Sequence, residues 1–253
     1  MRGSARPTAR TVVAPMAPFA SLAVVSGAFN PPTLAHRALA LAALGRGYEA
    51  VVFALGTVTL DKRETGLALE DRLALLAELA AGDPRLGVVV HNAGLYADQA
   101  AALRRHFRQV EELAFVVGLD KLPQILDPRY YANLRIGLAR LLTSAQLLVA
   151  PRGEGGRHDF TALLARPAVE PWRGRIRWLP LAPRWRRISA TDARAELESG
   201  GGTKLLPATW SPRLRELGAF DPKRRARYLE RVERIRSTQR TPRSERQHGE
   251  KHS

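Results

Sequence analysis

The sequence predicts a doubly wound α/β fold built on a parallel sheet. Short apolar, β-branched runs recur along the chain, and segments with apolar residues at three- and four-residue spacing lie between them. The runs are nearly continuous in apolarity, which means that both faces of the sheet are covered. They are residues 21–26 (SLAVVS), 50–55 (AVVFAL), 87–91 (GVVVH), 113–117 (LAFVV), 146–150 (QLLVA) and 175–179 (RIRWL). The helical patterns fall at 34–44, 69–81, 97–107, 130–142 and 191–199. This alternation places function at the carboxyl ends of the strands, where the chain reverses direction across the sheet.

A chain of 253 residues, 45% hydrophobic, suits one such domain with extensions. There is no cysteine, so disulfides, thiolate nucleophiles and Cys-based zinc sites are excluded together, in keeping with a reducing, cytoplasmic setting. The six histidines form neither HExxH nor any pair in an ordered-looking segment, which argues against a protein-built metal site. No run has the length and apolarity of a membrane span.

The net charge of +16 is uneven: residues 223–253 carry +7, residues 1–20 carry +3, and +6 remains for 21–222. We therefore expect a disordered N-terminal arm (1–20), a folded domain (21–222) and a basic, largely disordered tail (223–253). The moderately basic domain fits an anionic substrate. The tail fits weak nucleic-acid contact or plain solvation, and a homo-oligomer is left open.

The most informative break is SGAFNPPTLAH, residues 26–36. Gly27 lets a ligand approach the backbone, Pro31 and Pro32 stiffen the loop, and a helix begins near Thr33. Free N–H groups at such a helix start make an anion site. His36 lies one turn from Thr33, so the two share a face and can both reach a phosphate; Thr33 is equally an ordinary N-cap. Residues 188–194, ISATDAR, have the composition of a second anion site, with Ser189 or Thr191 as cap and donor and Arg194 in the first turn. Asp120, ending a strand, suits either a ribose contact or turn capping. Lys62 suits a phosphate or the solvent, and Arg72 reads as structural.

In order along the chain, SGAFNPPTLAH, LDKRETGLALEDR (60–72), LAFVVGLD (113–120), QLLVAPRG (146–153), ISATDAR and GGTKLLPATW (201–210) resemble the motifs of the nucleotidylyltransferase superfamily. The form is that of the nicotinate and nicotinamide mononucleotide adenylyltransferases. The resemblance spans roughly residues 20–222, and the first motif and ISATDAR are its most specific parts. It implies a Rossmann-like nucleotidylyltransferase fold in which ATP, with Mg²⁺ held by its phosphates, adenylylates a mononucleotide and releases pyrophosphate in NAD synthesis. Carried onto this sequence, it gives Ser26, Gly27, Ala28, Phe29, Asn30, Gly118, Asp120, Ser189 and Thr191 to the nucleotide. It gives His36, Thr33, Lys62 and Arg194 to the phosphates, with Arg194 at the β and γ positions.

Three departures stand out: Thr33 replaces a histidine of the bacterial pattern, Ala35 a glycine and Ala190 a serine. The tryptophan that stacks on the pyridine ring in nicotinate enzymes is also missing from LPQILDPRYYANLR (122–135), which offers Tyr130 and Tyr131 instead. Alternatives are another phosphorylated acceptor, or a non-catalytic member that binds nucleotide or RNA.

Overall fold

The computed structural model describes residues 6–16, 18–57, 66–199, 203–216 and 220. Its sheet has seven strands in the order β1-β4-β3-β2-β5-β6-β7. They are β1 (Ala9–Val13), β2 (Ser21–Gly27), β3 (Ala50–Gly56), β4 (Leu86–His91), β5 (Glu112–Gly118), β6 (Gln146–Ala150) and β7 (Ile176–Trp178). Among the described residues, only β1 runs antiparallel to its neighbour. The helices are α1 (Leu34–Leu44), α2 (Leu69–Ala80), α3 (Tyr96–His106), α4 (Leu122–Ile125), α5 (Leu134–Ser144), α6 (Arg157–Leu164), α7 (Pro183–Arg186), α8 (Ala190–Glu198) and α9 (Trp210–Glu216).

Strand alternation divides the core in two. Ala23 and Val25 of β2 and Ala114 and Val116 of β5 face a layer containing α1, α2, α8 and α9. Leu22 and Val24, with Leu113, Phe115 and Val117, face a layer containing α3, α4, α5 and α6. Both faces are thus dry, which is why the central strands read as unbroken apolar runs. Burial of each such Val, Leu or Phe contributes about 1.5–3 kcal/mol.

The structure corrects the sequence reading in several places. Residues 9–13, expected in a disordered arm, form an edge strand paired with β4 from Ala9↔His91 to Val13↔Val88. Their side chains are only partly buried, so the strand is held by its ladder rather than by an apolar face, and no hydrophobic alternation announces it. The helix expected from residue 130 starts at Leu134, capped by Asn133, whose side chain accepts the Ile136 N–H. Asp127 and Pro128 turn the chain through a short 3₁₀ segment first. The short α4, α6, α7 and α9 lie outside the helical patterns of the sequence; α9 is anchored by Trp210, fully buried with Nε1 donating to Glu78 Oε1 at 2.7 Å. Of the basic tail, residues 223–253 lie outside the described residues.

Candidate active site

From β2 the chain moves outward through β3 to β4, then returns to β5 beside β2 and proceeds the other way through β6 to β7. The carboxyl ends of β2 and β5 therefore flank the switch point, where a doubly wound sheet opens a crevice. Gly27 and Gly118 end these two strands.

The loop after β2 is locked from behind. Phe29 takes a left-handed conformation (φ 48°) and is buried, its ring edge-on to Phe53 and to the His36 ring, whose centroid is 4.9 Å away. Asn30 Oδ1 accepts the Leu67 N–H at 2.9 Å. It lies so close to Gly66 (φ +100°) that a Cβ there would sit 2.6 Å from it. Arg72, buried at 2% exposure, donates from Nη1 to the Ala28 carbonyl at 3.0 Å. Its structural reading is the one this geometry supports. Segment 58–65, with Lys62, lies outside the described residues.

At the start of α1, Thr33 and His36 are not side by side, as the turn spacing suggested. Thr33 is fully buried, and its backbone N–H and Oγ1 both lie 2.9 Å from His36 Nδ1. The N–H makes Nδ1 an acceptor, so neutral His36 carries its proton on Nε2. Burial first and the Arg152 guanidinium second hold His36 down to about 4, so the ring is neutral near pH 7. The expected row of free N–H groups is also reduced, because Leu34 N–H donates to the Leu205 carbonyl at 2.9 Å. Here Thr33 packs behind the histidine, with its hydroxyl against the imidazole ring.

Arg152, just beyond β6, was not singled out by the sequence reading. Its Nη1 donates to the Ile188 carbonyl and, at 3.4 Å, to that of Arg186; Gly153 N–H donates to Arg186 O at 3.0 Å. It therefore ties β6 to the approach of α8 while placing a cation near His36. The available signal was the Pro-Arg-Gly at a strand end. Ser189 is the cap of α8: Oγ accepts the Asp192 N–H at 3.0 Å and donates to Asp192 Oδ2 at 2.6 Å. Thr191 is exposed, and Arg194 Nη2 lies 3.4 Å from its Oγ1.

On the other side of the crevice, Asp120 reaches back over Gly118, so that a Cβ there would fall 2.2 Å from its Oδ1 and the carboxylate would have to move. Asp120 is exposed and close to Tyr96 at the start of α3. Burial, with Asp120 and then Tyr131 adding to it, pushes the Tyr96 phenol up to about 12. Tyr131 donates to the Ile125 carbonyl at 2.8 Å and packs on Gly137, whereas Tyr130 is 41% exposed. The structure thus groups Tyr96 with Asp120 and Tyr131. Tyr96 was not among the expected residues, its only mark being its place before the helical pattern at 97. At the end of β2, Ser26 Oγ donates to Gln99 Oε1 at 2.9 Å, so its hydroxyl is turned toward α3.

The arrangement offers a neutral imidazole N–H donor with the Arg152 guanidinium near it, suited to an anion. The model of a family described as cytidylyltransferase-like matches residues 24–196, from β2 into α8. Among solved structures, a candidate nicotinate-nucleotide adenylyltransferase from Vibrio parahaemolyticus is similar at 17% identity and a TM-score of 0.42, over 76% of this chain and 97% of that one. No curated protein matches.

Proposed function

We propose that this chain, which belongs to the cytidylyltransferase-like family, transfers the adenylyl group of ATP to nicotinate or nicotinamide mononucleotide and releases pyrophosphate. The observation that carries the reading is the linkage of the two signature segments. Arg152 sits electrostatically against His36 of α1 and is hydrogen-bonded to the carbonyl of Ile188, just before α8.

In this reaction an oxygen of the acceptor phosphate forms a bond to the α-phosphorus. The bond from that phosphorus to the bridging oxygen breaks, and its electron pair leaves with pyrophosphate. The attacking oxygen is already ionised near pH 7, so no general base is needed, and the work is alignment and charge stabilisation. His36 Nε2–H donates to the triphosphate without adding a fixed charge beside Arg152. Arg152 and Arg194 oppose the negative charge that grows on the leaving pyrophosphate. Among the described residues no three His, Asp or Glu side chains gather to hold a metal. A Mg²⁺ ion therefore fits as part of the MgATP substrate, neutralising phosphate charge. Tyr96, Asp120 and Tyr131 form the acceptor side, with aromatic surface in place of a stacking tryptophan.

The test is pyrophosphate release from ATP and Mg²⁺ with nicotinate mononucleotide, nicotinamide mononucleotide or no acceptor, beside His36→Ala. Release that needs one mononucleotide and falls by orders of magnitude in the variant supports the reading. Release with neither mononucleotide, or near-normal turnover without His36, overturns it.

A further inference from the structure

The +6 of residues 21–222 is concentrated in one segment of the chain. Residues 151–187 hold nine arginines, no lysine and three acidic residues, which is +6, so the rest of that domain is neutral. These residues build α6, the 3₁₀ segment Glu170–Arg175, β7 and α7 around the outer edge of β7, the last strand of the sheet. The acidic side chains are engaged: Glu154 with Arg187 at 2.5 Å, Glu170 with Arg173 at 3.8 Å, and Asp159 with the Gly156 N–H. Among the described residues, exposed Arg157, Arg166, Arg177 and Arg184 make no ion pair with a carboxylate.

Tryptophans are interleaved with these cations. Trp172, Trp178 and Trp185 are each partly exposed, the Arg157 guanidinium lies 5.9 Å from the Trp178 ring, and that of Arg184 lies 5.0 Å from the Trp185 ring. Arg46, beyond α1, adds a further cation by donating to the Trp178 carbonyl at 3.3 Å. We propose that this arginine and tryptophan surface around β7 binds single-stranded nucleic acid.

Planar guanidinium groups donate to phosphate oxygens in a fork and also stack, which a lysine surface would not do. Partly exposed indoles offer π faces to unpaired bases, while a duplex keeps its bases covered. An acidic protein would use the charge and leave the aromatic interleaving without a role. Arg152 is the one arginine of this segment used in the proposed transfer chemistry, and the substituted arginines take no part in it, so either proposal can fail without the other.

The test uses the full-length chain and a fluorescent oligouridylate of about 15 nucleotides, with its adenylate duplex as comparison, titrated across salt concentrations. One variant carries Arg157→Gln, Arg177→Gln and Arg184→Gln; a charge-matched control carries Arg236→Gln, Arg240→Gln and Arg243→Gln in the tail. The expected result is tighter binding of the single strand than of the duplex, by about tenfold. We also expect at least about tenfold weaker binding in the first variant, and a salt slope shallower by about 2, since each lost phosphate contact on a single strand removes about 0.7. Equal losses in both variants, equal affinity for the duplex, or no binding at low salt would overturn the proposal. A first variant that instead raises KM for ATP and leaves oligonucleotide affinity intact would also overturn it, by assigning the charge to substrate steering. The comparison of single strand with duplex on the unaltered chain stands even if the triple variant folds poorly.

Discussion

Replacing His36 with asparagine isolates the histidine's protonation from its architecture. Asparagine Oδ1 can still accept the Thr33 N–H, so the start of α1 keeps its local bond, but nothing titrates. In the native chain His36 is held at about 4 against an ordinary value of 6.5. Between these values the unfolded chain binds a proton that the folded one refuses, so stability rises with pH across that window and is fully present above about 6.5. Between pH 7 and pH 5 this one group should cost the native protein about 2 kcal/mol, approaching about 3 kcal/mol by pH 4. His91, buried and also held below its ordinary value, adds its own loss in acid. The informative quantity is therefore the difference between native chain and variant.

Urea unfolding followed by tryptophan fluorescence at half-unit steps from pH 7.5 to 4.5 measures that difference. The two curves should converge toward acid, with the variant shallower by up to one proton. Parallel curves would refute the claim that burial and Arg152 keep His36 neutral, and with it the assignment of the donor to Nε2.

Two further outcomes follow from the same geometry. Arg152→Ala should lower kcat/KM for pyrophosphate release by about 10² to 10³, the scale for loss of a charged donor from a transition state. Arg152→Lys, which keeps the charge but loses the fork to the 186–188 carbonyls, should recover only part of it; full activity in the alanine variant would sink that role. Gly118→Ala should push the Asp120 carboxylate aside, because the new methyl would lie 2.2 Å from Oδ1. Since the obstruction is the end of an exposed side chain, substrate KM should rise severalfold while stability changes by less than about 1 kcal/mol; an unchanged KM would remove Asp120 from the site.

The periodicities of 2 and 3.6 sufficed to place six strands, the helix 34–44 and the crevice at the strand ends, because a sheet covered on both faces leaves its signature in apolar runs. The same local logic picked out residues 26–36 and 188–194 as helix starts with donor groups and set Thr33 and His36 one turn apart, both reaching a phosphate. It could not tell whether they sit side by side or one behind the other, which depends on the packing of Phe29 and on the Leu205 carbonyl arriving from 171 residues away in the chain. Nor could it reveal the β1 edge strand, whose backbone ladder is made with β4 and whose Thr11 hydroxyl bonds to His106 of α3. Arg152 and Tyr96 look like any other surface arginine or helix-start tyrosine until the fold brings α1, α3, α8 and the ends of β5 and β6 together. Local pattern thus determines the six parallel strands, the longer helices and the strand ends at which a crevice opens. The orientation, protonation and partners of the groups lining it are set by neighbours distant in sequence, and only the folded chain supplies those.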